Sequence, residues 1–310
     1  MRKLWMVGAL LAGCGGTLEI GTANPDDFWY SQDDVKAAKP DGKQLGMLGA
    51  STDERQQRNR FQYHSPGPVM SGGARVYLIW YGNWNGFSGA QAIVTDLVQN
   101  LSGSAYYRIN TRYTDSGGGQ VSDAVQYGGS SADASYSRGA ILADADLAAI
   151  VSDSISTGAL PNDPSGVYFV IGSPTVSTAE LCTSYCALHN FTQVGSNRIA
   201  FAFIGNPSRC PAKCQPQAQG PNGDPTGDAM ASLVAAELSN AVTDPTLASW
   251  YDRRGFEVAD KCAWSYGLGY TAANGAVANV RLGARDYLLQ QLWVYSPAGG
   301  PSGGACGLSL

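Results

Sequence analysis

Six of the seven cysteines lie between Cys182 and Cys306, and their number and placement constrain the fold more than any other feature. Cys182, Cys186, Cys210, Cys214, Cys262 and Cys306 form an even set, and in an oxidising compartment such a set reads as three bridges between distant segments. Fifteen connectivities are open to six cysteines. The expected arrangement sets the 182/186 pair against the 210/214 pair and joins Cys262 to Cys306. The alternative is a four-thiolate zinc site built from the two Cys-x-x-x-Cys pairs. Prolines and turn residues around Cys210-Pro211-Ala212-Lys213-Cys214, together with export, favour bridges.

Export is read from the N-terminus. Met1-Arg2-Lys3 supplies positive charge, Leu4 to Leu11 an apolar run, and Leu11-Ala12-Gly13-Cys14 a closing box of bacterial lipoprotein type. Residues 1–14 are therefore expected to be a signal peptide with a lipobox, with Cys14 acylated; an ordinary secretory signal is the alternative. Residues 15–60 are polar, carry both charge signs and lack a hydrophobic period, which predicts a flexible tether. Phe28-Trp29-Tyr30 is the exception and is expected to dock on the domain at 61–310. The predicted location is extracytoplasmic, held to a membrane by N-terminal lipid. A net charge of −5 with no basic run argues against a nucleic-acid partner. No apolar stretch is long enough to span a bilayer as a mature helix.

With 44% hydrophobic and 15% charged residues, a large core is available. Arg75 to Tyr81, Gly166 to Ile171 and Arg198 to Ile204 are β-branched and aromatic runs, hence buried strands. Tyr106 to Thr114 and Ala124 to Tyr127 are also read as strands, around the Gly117-Gly118-Gly119 turn. Ala90 to Leu101 and Asp144 to Ser156 carry helical spacing, and Asp286 to Val294 is predicted as a final short helix. Asp144 and Asp146 suit a helix start, where carboxylates favour the dipole. The predicted class is α+β: a mixed sheet with packed helices, a zincin-like core and disulfide bracing.

The longest predicted helix runs from Asp228 to Pro245. Zinc peptidases of the His-Glu-x-x-His or His-Glu-x-x-Glu type place two ligands at i and i+4 on one helical face, and the glutamate beside the first is the general base. Here the matching residues are Ala236, Glu237, Leu238, Ser239 and Asn240. A methyl group binds no zinc and a carboxamide is a poor replacement. Only the base position survives, so Ala236, Glu237, Asn240, Glu257 and Asp260 are read as a vestigial site. The remaining oxygen donors, Glu237 with Glu257 or Asp260, suit weak calcium better than zinc. A rearranged site from His189, Glu237 and Asp260 is the enzymatic alternative. No cofactor is expected.

Several motifs together resemble the EXORDIUM, or phosphate-induced protein 1, family. They are Tyr63-His64, Gly67-Pro68-Val69-Met70, Val76 through Trp84, Gly166-Val167-Tyr168, Cys182 through His189, Cys210 with Cys214, Pro221-Asn222-Gly223-Asp224 and Ala241 through Pro245. The resemblance covers residues 61 to 310. It implies a secreted protein without an established enzymatic reaction, in a family whose plant members are linked to cell-wall growth.

His64 and His189 are the only histidines, and each is expected to be a structural imidazole. No Gly-x-Ser-x-Gly elbow is present, so a serine hydrolase is unsupported. Trp80, Tyr81, Trp84 and Phe87, among Gly and Asn residues, form an aromatic group; Trp80 and Trp84 are the candidates for stacking on sugar. Pro221-Asn222-Gly223-Asp224 reads as a turn into the long helix, with Thr226 or Asp228 near its N-cap. The functional expectation is a non-catalytic relative of zinc peptidases that binds an extracellular or envelope protein or polysaccharide.

Overall fold

Alternate residues of the segment Ala74–Tyr81 face two different cores. Val76, Leu78 and Trp80 point to one, while Tyr77, Ile79 and Tyr81 point to the other. This is the period-two geometry of a strand covered on both faces. The computed structural model describes residues 60–296 and 303–310; the signal peptide, Cys14, the tether and Phe28-Trp29-Tyr30 lie outside the described residues.

In chain order the elements are β1 (Phe61–Tyr63), β2 (Ala74–Tyr81), α1 (Ser88–Leu101), β3 (Val125–Asp133), β4 (Ile141–Leu142), α2 (Asp144–Ser156), β5 (Gly166–Gly172), β6 (Ser177–Thr178), β7 (Ala187–Val194), β8 (Asn197–Ile204), a one-turn α3 (Pro211–Cys214), α4 (Pro225–Thr243) and β9 (Trp250–Asp252). Short strand pairs follow. The main sheet has five strands in the order β3-β2-β5-β8-β7. Four run parallel, and β7 is antiparallel to β8 at one edge. Helices α1 and α4 contribute to the core containing Val76, and α2 contributes to the core containing Tyr77. The α+β class and mixed sheet agree with the expectation from sequence.

Helix α4 has sixteen of its nineteen residues buried. A helix covered on nearly all sides is a central strut, so its polar residues face protein. The Asp224 side chain caps it, accepting from the N–H groups of Thr226 at 3.1 Å and Gly227 at 3.0 Å, with Pro225 in the first turn. The cap is thus Asp224, with Thr226 and Asp228 following it in the first turn. Gly227 lets α4 approach α1, since a Cβ there would meet the Ala90 Cα at 2.7 Å.

Between β2 and β3 the register shifts at Val76/Tyr77, where Tyr127 and Gly129 are the successive partners and Gly128 is left over. A Cβ on Gly128 would lie 2.4 Å from the Tyr77 ring, so only glycine fits under that aromatic.

Two predicted elements change type. Residues Tyr107–Arg112 form a 3-10 helix instead of a strand. Tyr106, Tyr107, Ile109, Asn110 and Tyr113 are the buried positions, a helical spacing, and Ser104 Oγ accepts the Tyr107 N–H at 3.1 Å. The helix expected over Asp286 to Val294 is replaced by strands Arg285–Tyr287 and Leu292–Tyr295. There the Asn279 side chain binds both the N–H and the carbonyl of Leu289, taking up backbone groups a helix would use. Strand β7 was not foreseen.

Three disulfides join Cys182–Cys210, Cys186–Cys214 and Cys262–Cys306, with Cα separations of 5.9, 5.7 and 5.6 Å. The expected pairing therefore holds, and the four-thiolate zinc alternative does not, because these sulfurs are bonded to one another.

Candidate functional site

Strand β7 lies beside α4, and this brings His189 to Glu237. The loop after β9 then adds Glu257 and Asp260. All four are at most 3% exposed. The Nδ1 atom of His189 lies 3.4 Å from Glu257 Oε2 and 3.7 Å from Glu237 Oε2. Its other ring nitrogen, Nε2, lies 3.4 Å from the backbone carbonyl of Asp244. Asp260 accepts the Glu257 N–H at 3.0 Å and so holds the backbone of that loop.

The two positions where a zinc peptidase would carry ligands do different work here. Ala236 packs in the core at 4% exposure. The Asn240 Oδ1 accepts the Ala259 N–H at 2.7 Å, tying α4 to the loop that carries Glu257 and Asp260. Asp244 caps the C-terminus of α4; its Oδ1 accepts the N–H groups of Ala248 and Ser249 at 2.5 and 2.8 Å.

Burial controls the charge of this cluster. It pushes Glu237 well above the usual carboxylate range, with Asp260 adding to the effect. Glu257 is raised in the same way by burial, then by Asp244, Asp260 and Glu237. Asp244 is raised by burial to about 6, although the Ala248 and Ser249 N–H groups oppose the shift. Desolvation lowers His189 to about 4, opposed by the Asp244 carbonyl. At neutral pH the imidazole is therefore uncharged. Asp244 and Glu257 become hydrogen-bond partners only when one of them carries a proton. Five polar atoms of this cluster lack a hydrogen-bond partner: His189 Nδ1, Glu237 Oε2, Asn240 Nδ2, Asp244 Oδ2 and Glu257 Oε1.

Beneath the cluster Lys261 pairs with Asp252 at 3.2 Å, both fully buried. The lysine also lies 5.0 Å from the Trp293 ring centroid. Sequence reasoning missed this pair; an Asp and a Lys nine residues apart in a loop give no sign of burial.

The remaining candidates sit elsewhere. Trp80 is buried at 6% exposure. Trp84 is half-buried, edge-on to Trp80 at 4.9 Å, with its indole N–H on the Tyr81 carbonyl at 3.3 Å. Phe87 is the exposed ring of that group. His64 stacks on Tyr251 with ring centroids 3.6 Å apart. A groove of about 320 Å³ opens at the N-terminal ends of β2, β5 and β8, lined by Met70, Gly73, Ser165, Arg198 and Thr246, and no residue of the buried cluster lines it.

These features define a disulfide-braced helix–sheet–helix domain with a buried acid–histidine node on its central helix. The chain belongs to the family described as phosphate-induced protein 1 conserved region, whose model matches residues 61–296. It is similar to Protein EXORDIUM-like 3 of Arabidopsis thaliana, 28% identical over 284 aligned positions covering 78% of this chain and 83% of the relative. It is also similar to Protein EXORDIUM-like 5 of the same plant, 27% identical over 276 positions covering 75% and 74%. No solved structure matches.

Proposed function

We propose that this chain is an exported, lipid-anchored EXORDIUM-like protein without peptidase activity, which acts by binding an extracellular or envelope partner. The observation that carries the reading is the position of Glu237. The one surviving element of the peptidase pattern is 2% exposed, next to an Ala236 that cannot ligate and an Asn240 already engaged by Ala259. A general base must reach a substrate proton through at most one water, and this carboxyl faces protein. Kinship with zinc peptidases is supported by the mixed sheet, by its antiparallel edge strand beside the long helix, and by Glu237 on that helix. Three disulfides fit an oxidising compartment, and the Leu11-Ala12-Gly13-Cys14 box supplies the anchor.

The test is exposure of the purified full-length protein to a broad peptide library, with and without added zinc, beside Glu237→Gln. The expected result is no cleavage above background in either protein. Cleavage by the parent that Glu237→Gln abolishes would overturn the reading. For the anchor, Cys14→Ser is expected to move the protein from the membrane fraction to the soluble one.

A further inference from the structure

We propose that the groove at the N-terminal ends of β2, β5 and β8 is the docking site of this chain's own Phe28-Trp29-Tyr30 segment, which seats its aromatic rings there with its flanking aspartates towards Arg198.

The groove is larger than its first hollow. That hollow of about 320 Å³ adjoins a second of about 430 Å³, and Gly72, Gly73 and Ser165 line both. Together they fall within the roughly 300–1,000 Å³ of an ordinary binding site. Met70 is half-buried in the wall of the first, between Pro68 and Pro245. A polarizable thioether of this kind packs well against an aromatic ring. A Cβ on Gly72 would meet nothing within 4 Å, so the space above it is open. The charge of the groove opposes that of the chain. No Asp or Glu among the described residues lines either hollow, although the net charge of the chain is −5. Of the two arginines there, Arg75 is engaged by Gln126 and Asp163. Arg198 is exposed and forms no ion pair among the described residues.

The segment complements both properties. Phe28, Trp29 and Tyr30 are the only aromatic residues in 15–60, and Asp26, Asp27, Asp33 and Asp34 flank them with no cation in between. Tryptophan and tyrosine are the side chains that most often anchor a contact, and an acidic frame around them suits an unpaired arginine. The chain also leads to the right place. Only His64 to Gly67 separate β1 from Pro68 and Met70 on the groove wall. The Tyr63 hydroxyl donates to the Gly67 carbonyl at 2.7 Å, which holds that short connection against β1. Residues 31–60 extend to about 100 Å at about 3.3–3.6 Å each, so the aromatic segment reaches the groove from the start of β1. Covalent linkage gives it an effective concentration on the order of millimolar, so modest contacts suffice.

The experiment puts the photocrosslinker benzoylphenylalanine in place of Trp29 in the full-length protein, irradiates it in dilute detergent solution and maps the products by mass spectrometry. The expected product is a link within one chain to the groove segments 68–73, 164–165 or 245–246. Gly72→Phe fills the open space, and Arg198→Glu reverses the unpaired charge. Each is expected to lower the yield about tenfold, the first by excluding the ring and the second by setting like charges together. Should Gly72→Phe fail to fold, Arg198→Glu decides, because the side chain it replaces is exposed. Links elsewhere on the domain, links that join two chains, or no link at all overturn the proposal. So does a yield that neither folded variant lowers. Neither hydrolysis nor membrane partition is read, so the docking stands or falls apart from the function proposed above.

Discussion

The side-chain oxygen of Asn240 accepts the backbone N–H of Ala259 at 2.7 Å, joining the last turn of the longest helix to the loop that carries Glu257 and Asp260. The residue that disqualifies α4 as a zinc-peptidase helix therefore contributes to stability. Asn240→Ala leaves a buried N–H without an acceptor and is expected to destabilise the fold by about 1–3 kcal/mol. A urea titration checks this: the midpoint falls while the slope is kept. An unchanged midpoint would remove Asn240 from the structural framework.

The disulfides are not equivalent. Cys182–Cys210 and Cys186–Cys214 each span 28 residues and tie the same two segments side by side. Removing one leaves the segments joined by the other, so Cys182→Ala/Cys210→Ala is expected to cost well under the about 3.5 kcal/mol of an isolated loop of that length. Cys262–Cys306 closes 44 residues alone. Its double alanine variant is expected to lose about 4 kcal/mol. Calorimetric melting of the two variants should rank them in that order, and equal losses would contradict the ranking.

Asp163 predicts an acid-side dependence. It accepts from the Ser165 N–H at 2.9 Å, the Tyr77 hydroxyl at 2.9 Å and Arg75 at 3.2 Å. Burial pushes its carboxyl up, but these three donors outweigh burial and hold it below the ordinary value. A depressed folded-state value means the stabilisation is fully present above the unfolded value of about 3.9 and is lost as pH falls through the folded one. Asp163→Asn should therefore cost about 1–2 kcal/mol at pH 7, with the gap to the parent closing towards about pH 3. Urea midpoints across that range test it; a gap independent of pH counts against the assignment.

Lys261 and Asp252 form an ion pair with no solvent contact. Lys261→Met preserves much of the packing against Trp293 but strands the Asp252 carboxylate. The expected loss is about 3–5 kcal/mol, read from chemical denaturation. A loss below 1 kcal/mol would mean that the Arg254 and Phe256 N–H groups, which also reach Asp252 Oδ1 at 2.8 and 3.1 Å, satisfy it on their own.

How far the residues themselves reveal the fold depends on where each strand lies. Tyr77 to Tyr81, Gly166 to Ile171 and Ile199 to Ile204 are covered on both faces, so their apolar runs were legible as strands. Strand β7 lies at an edge and mixes Asn190, Thr192 and Gln193 with its apolar residues, which hid it. The types of the site residues were legible: Glu237, Glu257, Asp260 and His189 stood out by chemistry. Their partnership was not. His189 meets Glu257 only because an antiparallel edge strand and the loop after β9 converge on one helix, and no local spacing encodes that. Of the trio read from sequence, His189 lies 3.7 Å from Glu237, whereas Asp260 turns its side chain to the Glu257 N–H.

The glycine pair in β3 bears on how the sheet ends. A strand at the open edge of a sheet can recruit the strand of another copy. The ladder skips a residue at Gly128, where the Tyr77 ring admits no Cβ, and Gly129 follows with a φ of 127° that favours glycine. A register break of this kind twists the strand that carries it, so the outer rim of β3 offers a visiting chain no uninterrupted ladder to copy. Two hydrogen atoms in place of side chains decide how far that edge can serve as a template.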